Sequence, residues 1–249
     1  MEVHAHSHTP RKKWSHYFWE FFMLFLAVFC GFLAEYQLEH KIERDREKQY
    51  MKSLLSNLKA DTMQLNQRMR FRKDKMAYFD TLMMLLKSPD LNKKTAAIYL
   101  NGFWAPIGAR FLPNDGVLAQ LKNAGGLRLI HKQVVVDSLL NYDTETKYMV
   151  DFENWERDRF IDVSAYEKVL DASVFEQNLQ YKYPQEIFIF RTPAGNPPLL
   201  SYKKEDLDQF YNRIQLQKRL NAVIMNGFFK LQAKAGSLIS LIEKEYHLE

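Results

Sequence analysis

The chain has 249 residues, 47% of them hydrophobic and 26% charged, and its 35 Lys and Arg against 30 Asp and Glu leave a formal net charge of +5. That apolar content argues against a disordered chain, and the basic residues are mostly followed by Glu or Asp within a turn, so no dense basic surface for nucleic acid is present. The single cysteine, Cys30, rules out a disulfide within the chain and a Cys-ligated zinc site.

Residues 1–16 read as a flexible tail carrying Arg11, Lys12 and Lys13 and the alternating His4, His6 and His8. Three imidazoles on a tail with no outer hydrogen-bond partner predict a solvated segment rather than a metal centre. Fourteen consecutive apolar residues follow from Phe21 to Ala34, flanked by Trp14, Tyr17 and Trp19 before and Tyr36 after. A helix rises about 1.5 Å per residue and the hydrocarbon layer is about 30 Å thick, so a transmembrane helix is expected over 17–36, with Glu20 and Glu35 near its ends. The run is apolar all round, unlike an interfacial helix. Phe29 and Val28 precede Cys30 where a lipidation signal needs small residues, and Phe32 spoils a small-x-small cleavage pattern ending at Ala34, so the anchor is expected to remain uncleaved. Basic residues flank both sides. The tendency of short basic N-termini to stay in the cytoplasm puts the body on the periplasmic side.

Residues 37–50 are helix formers of mixed charge, expected to extend the anchor helix as a solvated stalk. From residue 51 to 249 a helical bundle domain is expected. Its first seam is Met51, Leu55, Leu58, Thr62, Leu65, Met69, Arg72, Met76, Phe79, Met83 and Leu86, stepping by fours and threes; Thr62 and Arg72 are polar entries that set register or pair with a neighbour's acid. Pro89 stops that helix. Asn101 to Arg110 reads as a Gly/Pro-punctuated loop, and Phe111 to Ile130 as a short helix opened by Asn114 or Asp115 and closed at Gly125-Gly126. Lys132 to Leu170 is a third long helical stretch with one broad apolar face. Residues 185–202 form either a small hairpin or an extended crossover. The last helix, started by Ser201 or Asp206, carries the seam Leu207, Phe210, Ile214, Gln217, Asn221, Ile224, Phe228, Leu231, Ala235, Leu238, Ile242 and Glu245, where Gly227 and Gly236 weaken it or admit a close neighbour. The fold class is therefore mainly all-α, an N-terminal transmembrane helix leading into an antiparallel bundle of three long helices.

Catalytic signatures are missing: there is no Gly-x-Gly-x-x-Gly, Walker, Gly-x-Ser-x-Gly or His-Glu-x-x-His pattern, nor the Glu-x-x-His sets of di-metal bundles. Glu153 with Arg157 and Glu156 with Arg159 read as salt-bridged helix faces, and His131 as a surface residue. The one candidate polar pocket is Arg72, Glu156 and Asn221, polar residues on or near otherwise apolar seams. No catalytic residue, metal ligand or cofactor is assigned.

Two stretches carry a resemblance. Phe111-Leu112-Pro113-Asn114-Asp115-Gly116, running through a short helix to Gly125-Gly126-Leu127-Arg128-Leu129-Ile130, and Arg46 to Thr62, with its Leu55-x-x-Leu58 spacing and Asp61, resemble elements of an uncharacterised family of bacterial single-span membrane proteins with a helical domain of unknown function. The chain departs from that pattern in its paired glycines and its histidine-bearing tail. The resemblance implies membrane attachment and a helical body, and supplies no activity. The expectation is a single-pass protein of the bacterial inner membrane acting as a binding, scaffolding or sensing module, whose partners are the lipid bilayer and a second copy or another protein docked through the helical seams. The competing expectation is a receptor or enzyme with a ligand site inside the bundle core.

Overall fold

The computed structural model describes residues 14–160, 163–182 and 187–248. The histidine tail, Gln185 and Glu186 lie outside them. The chain divides into two compact units, Met1–Met51 and Lys52–Glu249. Helix α1 (Trp14–Leu86) contributes to both.

In the first unit every residue from Trp14 to Glu39 is exposed. Phenylalanines spaced by four stack along the helix, Phe18 on Phe22, Phe21 on Phe25 and Phe25 on Phe29. Among the described residues this is the one helix long and apolar enough to cross a membrane.

The second unit is helical, with one small hairpin. After α1 come α2 (Thr95–Trp104), α3 (Gly116–Asn123), α4 (Gln133–Phe160), α5 (Ser164–Glu167), α6 (Ala172–Asn178), strands β1 (Leu179–Lys182) and β2 (Ile187–Phe190), and α7 (Lys204–Tyr246). The strands pair antiparallel, Leu179 opposite Phe190.

The buried face of α7 is Phe210, Ile214, Gln217, Asn221, Ile224, Phe228, Leu231, Ala235, Leu238 and Ile242, the predicted seam without its two terminal members. A Cβ on Gly227 would stand 2.6 Å from Met149 Cε on α4, so the end of the Met149 side chain occupies the space that the glycine leaves, whereas Gly236 has open space. Neither Ser201 nor Asp206 is the N-cap of α7; that place falls to Lys203. Ser201 Oγ instead donates to Asp206 and accepts from the Lys203 N–H.

On α1 the buried face is wider than the predicted seam. Leu54, Asp61, Lys75 and Leu82 form a further strip beside Met51, Leu58, Leu65, Arg72 and Phe79, while Thr62 and Met76 are only partly buried. A helix that packs against two others needs a broader stripe than a two-stranded seam. Cross-links show the directions. Asp61 meets Tyr142 and Arg72 meets Glu156, so α1 and α4 run parallel. Lys59 meets Glu243 and Lys218 meets Asp80, so α7 runs antiparallel to α1. Of the three long helices expected to form an antiparallel bundle, α7 runs antiparallel to the other two, while α1 and α4 are the parallel pair because residues 87–132 travel back along the bundle before α4 begins.

Three further expectations change. The segment Asn101 to Trp104 is the last turn of α2, not loop. The third long helix ends at Phe160 rather than Leu170, and α5 and the residues after it fold onto a core of Phe79, Leu82, Tyr99, Val169, Leu170 and Phe210. The hairpin begins at Leu179, and Leu199 to Tyr202 is not a strand because Tyr99 and Val169 bind that segment: Tyr99 Oη donates to the Pro198 carbonyl and the Leu200 N–H to the Val169 carbonyl. In the 111–130 element Asp115 holds the N-cap place of α3 without a side-chain bond, and Gly125 takes the left-handed conformation (φ 65°) that ends the turn.

Candidate functional site: a buried charge knot

Arg72 lies halfway along the second-unit part of α1 with its side chain turned inward. Its Nη1 donates to Glu156 Oε1 at 3.1 Å and to Asn221 Oδ1 at 3.1 Å, and its Nη2 to Glu153 Oε1 at 3.0 Å and Glu156 Oε2 at 2.8 Å. Asn221 Nδ2 returns a bond of 2.9 Å to the Arg72 carbonyl. The structure therefore brings together Arg72, Glu156 and Asn221, one from each long helix. The fork-on-fork geometry of guanidinium and carboxylate fixes distance and orientation at once.

Sequence reasoning missed two members. Glu153 stands one turn before Glu156 on the same face and closes the knot through Arg72 on one oxygen and the Phe111 N–H on the other, at 3.0 Å. Its expected pairing with Arg157 does not form; Arg157 meets Asp158 on the surface. Glu156 likewise turns inward to Arg72 and not to Arg159, whose guanidinium stands over Trp155. The spacing of Glu153 and Glu156 was the available signal, since two acids three apart on the face that also carries Tyr142 and Met149 point at the core. Lys75, one turn beyond Arg72, is also buried, with its Nζ 5.5 Å from the Phe79 ring centroid. The four ionised groups balance to zero.

Burial disfavours every charge here, and the neighbours decide what survives. Arg72 is desolvated, yet the carboxylates of Glu156 and Glu153 hold it above the ordinary guanidinium value. Desolvation raises Glu153 against the opposing pull of the Phe111 N–H and Arg72. Lys75 is pushed down to about 8, chiefly by burial, with Glu156 resisting and Arg72 assisting.

A second buried polar centre lies on the adjoining strip of α1, the one that also carries Lys75. Asp61 Oδ1 accepts from the backbone N–H and the side-chain Nδ2 of Asn114, at 2.9 and 2.8 Å, and Oδ2 accepts from Tyr142 Oη at 3.0 Å. Burial and then the Asp61 charge raise the Tyr142 hydroxyl well above its ordinary value, so it stays a donor. Gln64 binds both the N–H and the carbonyl of Leu112, and Asn57 binds the Asn114 carbonyl. Together with the Glu153 bond to Phe111, these contacts strap residues 111–114 across α1 and α4. The side chain of Asn114, expected to cap α3, is spent on Asp61.

Chemically the knot is closed. All four carboxylate oxygens of Glu153 and Glu156 accept a hydrogen bond from Arg72 or the Phe111 N–H, so both carboxylates are held from within the protein. Among the described residues, concavities of this unit lie between α1, the 113–118 segment and α4, between α4 and α7, and between α2, α5 and α6. None has Arg72, Glu153, Glu156 or Asn221 in its lining. Among the described residues no group of His, Cys, Asp and Glu is arranged to hold a metal ion. The arrangement suits a device that sets the register of three helices, since any slip would strand a buried charge.

No family model, curated protein or solved structure matches this chain.

Proposed function

We propose that this chain is a single-span membrane protein of the bacterial inner-membrane type, whose helical body is a binding, scaffolding or sensing module. The observation that carries the reading is the exposure of every side chain from Trp14 to Glu39, a stretch that includes the whole apolar run. Water would penalise that much bare apolar surface at about 25 cal/mol per Å², whereas lipid tails would cover it. The likeness of residues 46–62 and 111–130 to an uncharacterised bacterial membrane family agrees with this. By the same proposal the N-terminus is cytoplasmic and the body periplasmic.

A module rather than a reaction centre is supported by the two buried polar centres, whose carboxylates are held by Arg72, the Phe111 N–H, Asn114 and Tyr142. Its seams are buried within the chain, so a partner or second copy would dock on outer surfaces. The stacked Tyr148, Phe152 and Trp155 on the outside of α4 offer such a surface, with Tyr148 and Trp155 exposed.

Fractionation of the full-length chain tests the anchor. Membrane association that survives alkaline wash and yields to detergent is expected, as is release into the soluble fraction when Leu26→Arg and Phe29→Arg are combined. A wild-type chain that is soluble without detergent overturns the proposal. Sidedness is read by an impermeant thiol reagent on the Cys30→Ser, Ser173→Cys variant, because Ser173 is exposed. Labelling in intact spheroplasts is expected.

A further inference from the structure

The concavity between α2, α5 and α6 is unrelated to the charge knot. It measures about 350 Å³ and is walled by Phe103, Tyr166, Leu170 and Phe175, with Ala172 at its edge. That volume lies in the range of small-molecule sites, and so does a lining of aromatic and aliphatic side chains with very few polar groups.

The walls are held from behind. Phe103 stacks on Phe190 of β2 with ring centroids 4.2 Å apart, and Phe175 packs against both Phe190 and Tyr99. Tyr166 meets Phe210 of α7 edge-on at 4.7 Å and donates a hydrogen bond from its hydroxyl to Gln217 Oε1. These rings are committed to the core on one side and present apolar surface to the cavity on the other, so the concavity is preformed.

Among the described residues one charged side chain lines it, Glu167, which is exposed at the rim. Its neighbour Lys168 is drawn to Gln209 on α7, with Nζ 2.9 Å from Oε1, and does not line the cavity. The rim is therefore anionic above an apolar, aromatic floor.

The geometry points to a binding site for a small amphiphilic amine, with an aryl or short alkyl body among Phe103, Tyr166 and Phe175 and the ammonium at the Glu167 carboxylate. The aromatic rings favour a cation near their faces, and the carboxylate disfavours an acid of the same shape. This inference does not rest on membrane attachment, because the cavity belongs wholly to the second unit.

The test uses the full-length chain in phosphatidylcholine nanodiscs, with empty discs subtracted, and three probes of similar body: 2-phenylethylammonium, 2-phenylethanol and 3-phenylpropionate. Calorimetry is expected to show saturable binding of the amine, weaker binding of the alcohol by roughly threefold, in keeping with one exposed ion pair, and the acid last. Glu167→Gln should reduce the amine to the level of the alcohol without changing the alcohol. Ala172→Trp, at an exposed edge position, should weaken all three. Absence of saturable binding, an order of affinities untouched by Glu167→Gln, or indifference to Ala172→Trp each overturns the assignment. If the chain proves soluble, the same titration in buffer decides the matter separately from the anchor.

Discussion

Two buried polar centres sit on one helix, eleven residues apart, and they are wired in opposite ways. Arg72 is a cation matched by two carboxylates from α4 and an amide from α7, so it joins three long helices. Asp61 is an anion matched by neutral donors, an amide, a backbone N–H and a phenol, and it joins two helices to a loop. The difference teaches what each can tolerate. Losing the cation strands two like charges in the core, whereas losing the anion strands only dipoles.

Arg72→Ala is accordingly the most damaging change expected, destabilising the body by about 3–5 kcal/mol in denaturant unfolding of the full chain. Combining Arg72→Met with Glu153→Gln and Glu156→Met should recover much of that loss, since it removes the buried charges together with their pairing while an amide oxygen at position 153 still accepts the Phe111 N–H. If the single and triple variants are equally unstable, the carboxylates are not what Arg72 compensates.

Lys75 sharpens the contrast within the cationic centre. Its folded value of about 8 lies below the 10.5 of an ordinary lysine, so between those two values the unfolded chain binds more protons. Stability should therefore rise with pH across that window and be lowest, for this group, below about 8. Lys75→Met removes the dependence and should stabilise the body at pH 7 by up to about 3 kcal/mol. A wild-type stability curve flat from pH 8 to 10 would contradict this.

Asp61→Ala should cost about 2 kcal/mol, because Tyr142 Oη and the Asn114 N–H lose their acceptor. Its signature is local. Hydrogen exchange should quicken at Asn114 while the Phe111 amide, held by Glu153, stays protected. At the bottom of the scale, Lys218→Ala breaks an ion pair with the mostly exposed Asp80 and should change stability by less than about 1 kcal/mol.

The parts that were legible follow from simple periodicity. The α7 stripe is apolar and narrow, so a step of fours and threes names its buried residues almost one for one. The apolar run to Ala34 is legible from composition alone. On α1 the same reading names Arg72 but passes over Asp61 and Lys75, because a charged residue at a buried position looks like a solvated one until its partner is known. Asn221 and Arg72 stand out as polar breaks in apolar seams. Glu153 does not, because Arg157 four residues on offers an equally good local explanation.

The order of residues alone therefore determines that the chain is helical, where its longest apolar segment lies and which stripe of α7 turns inward, since these depend on neighbours within a turn or two. The parallel course of α1 and α4, the end of α4 at Phe160, the strapping of residues 111–114 and the pairing of Arg72 with two glutamates more than eighty positions away were decided by tertiary structure. A buried charge takes the partner that geometry delivers, and sequence distance carries no record of that choice.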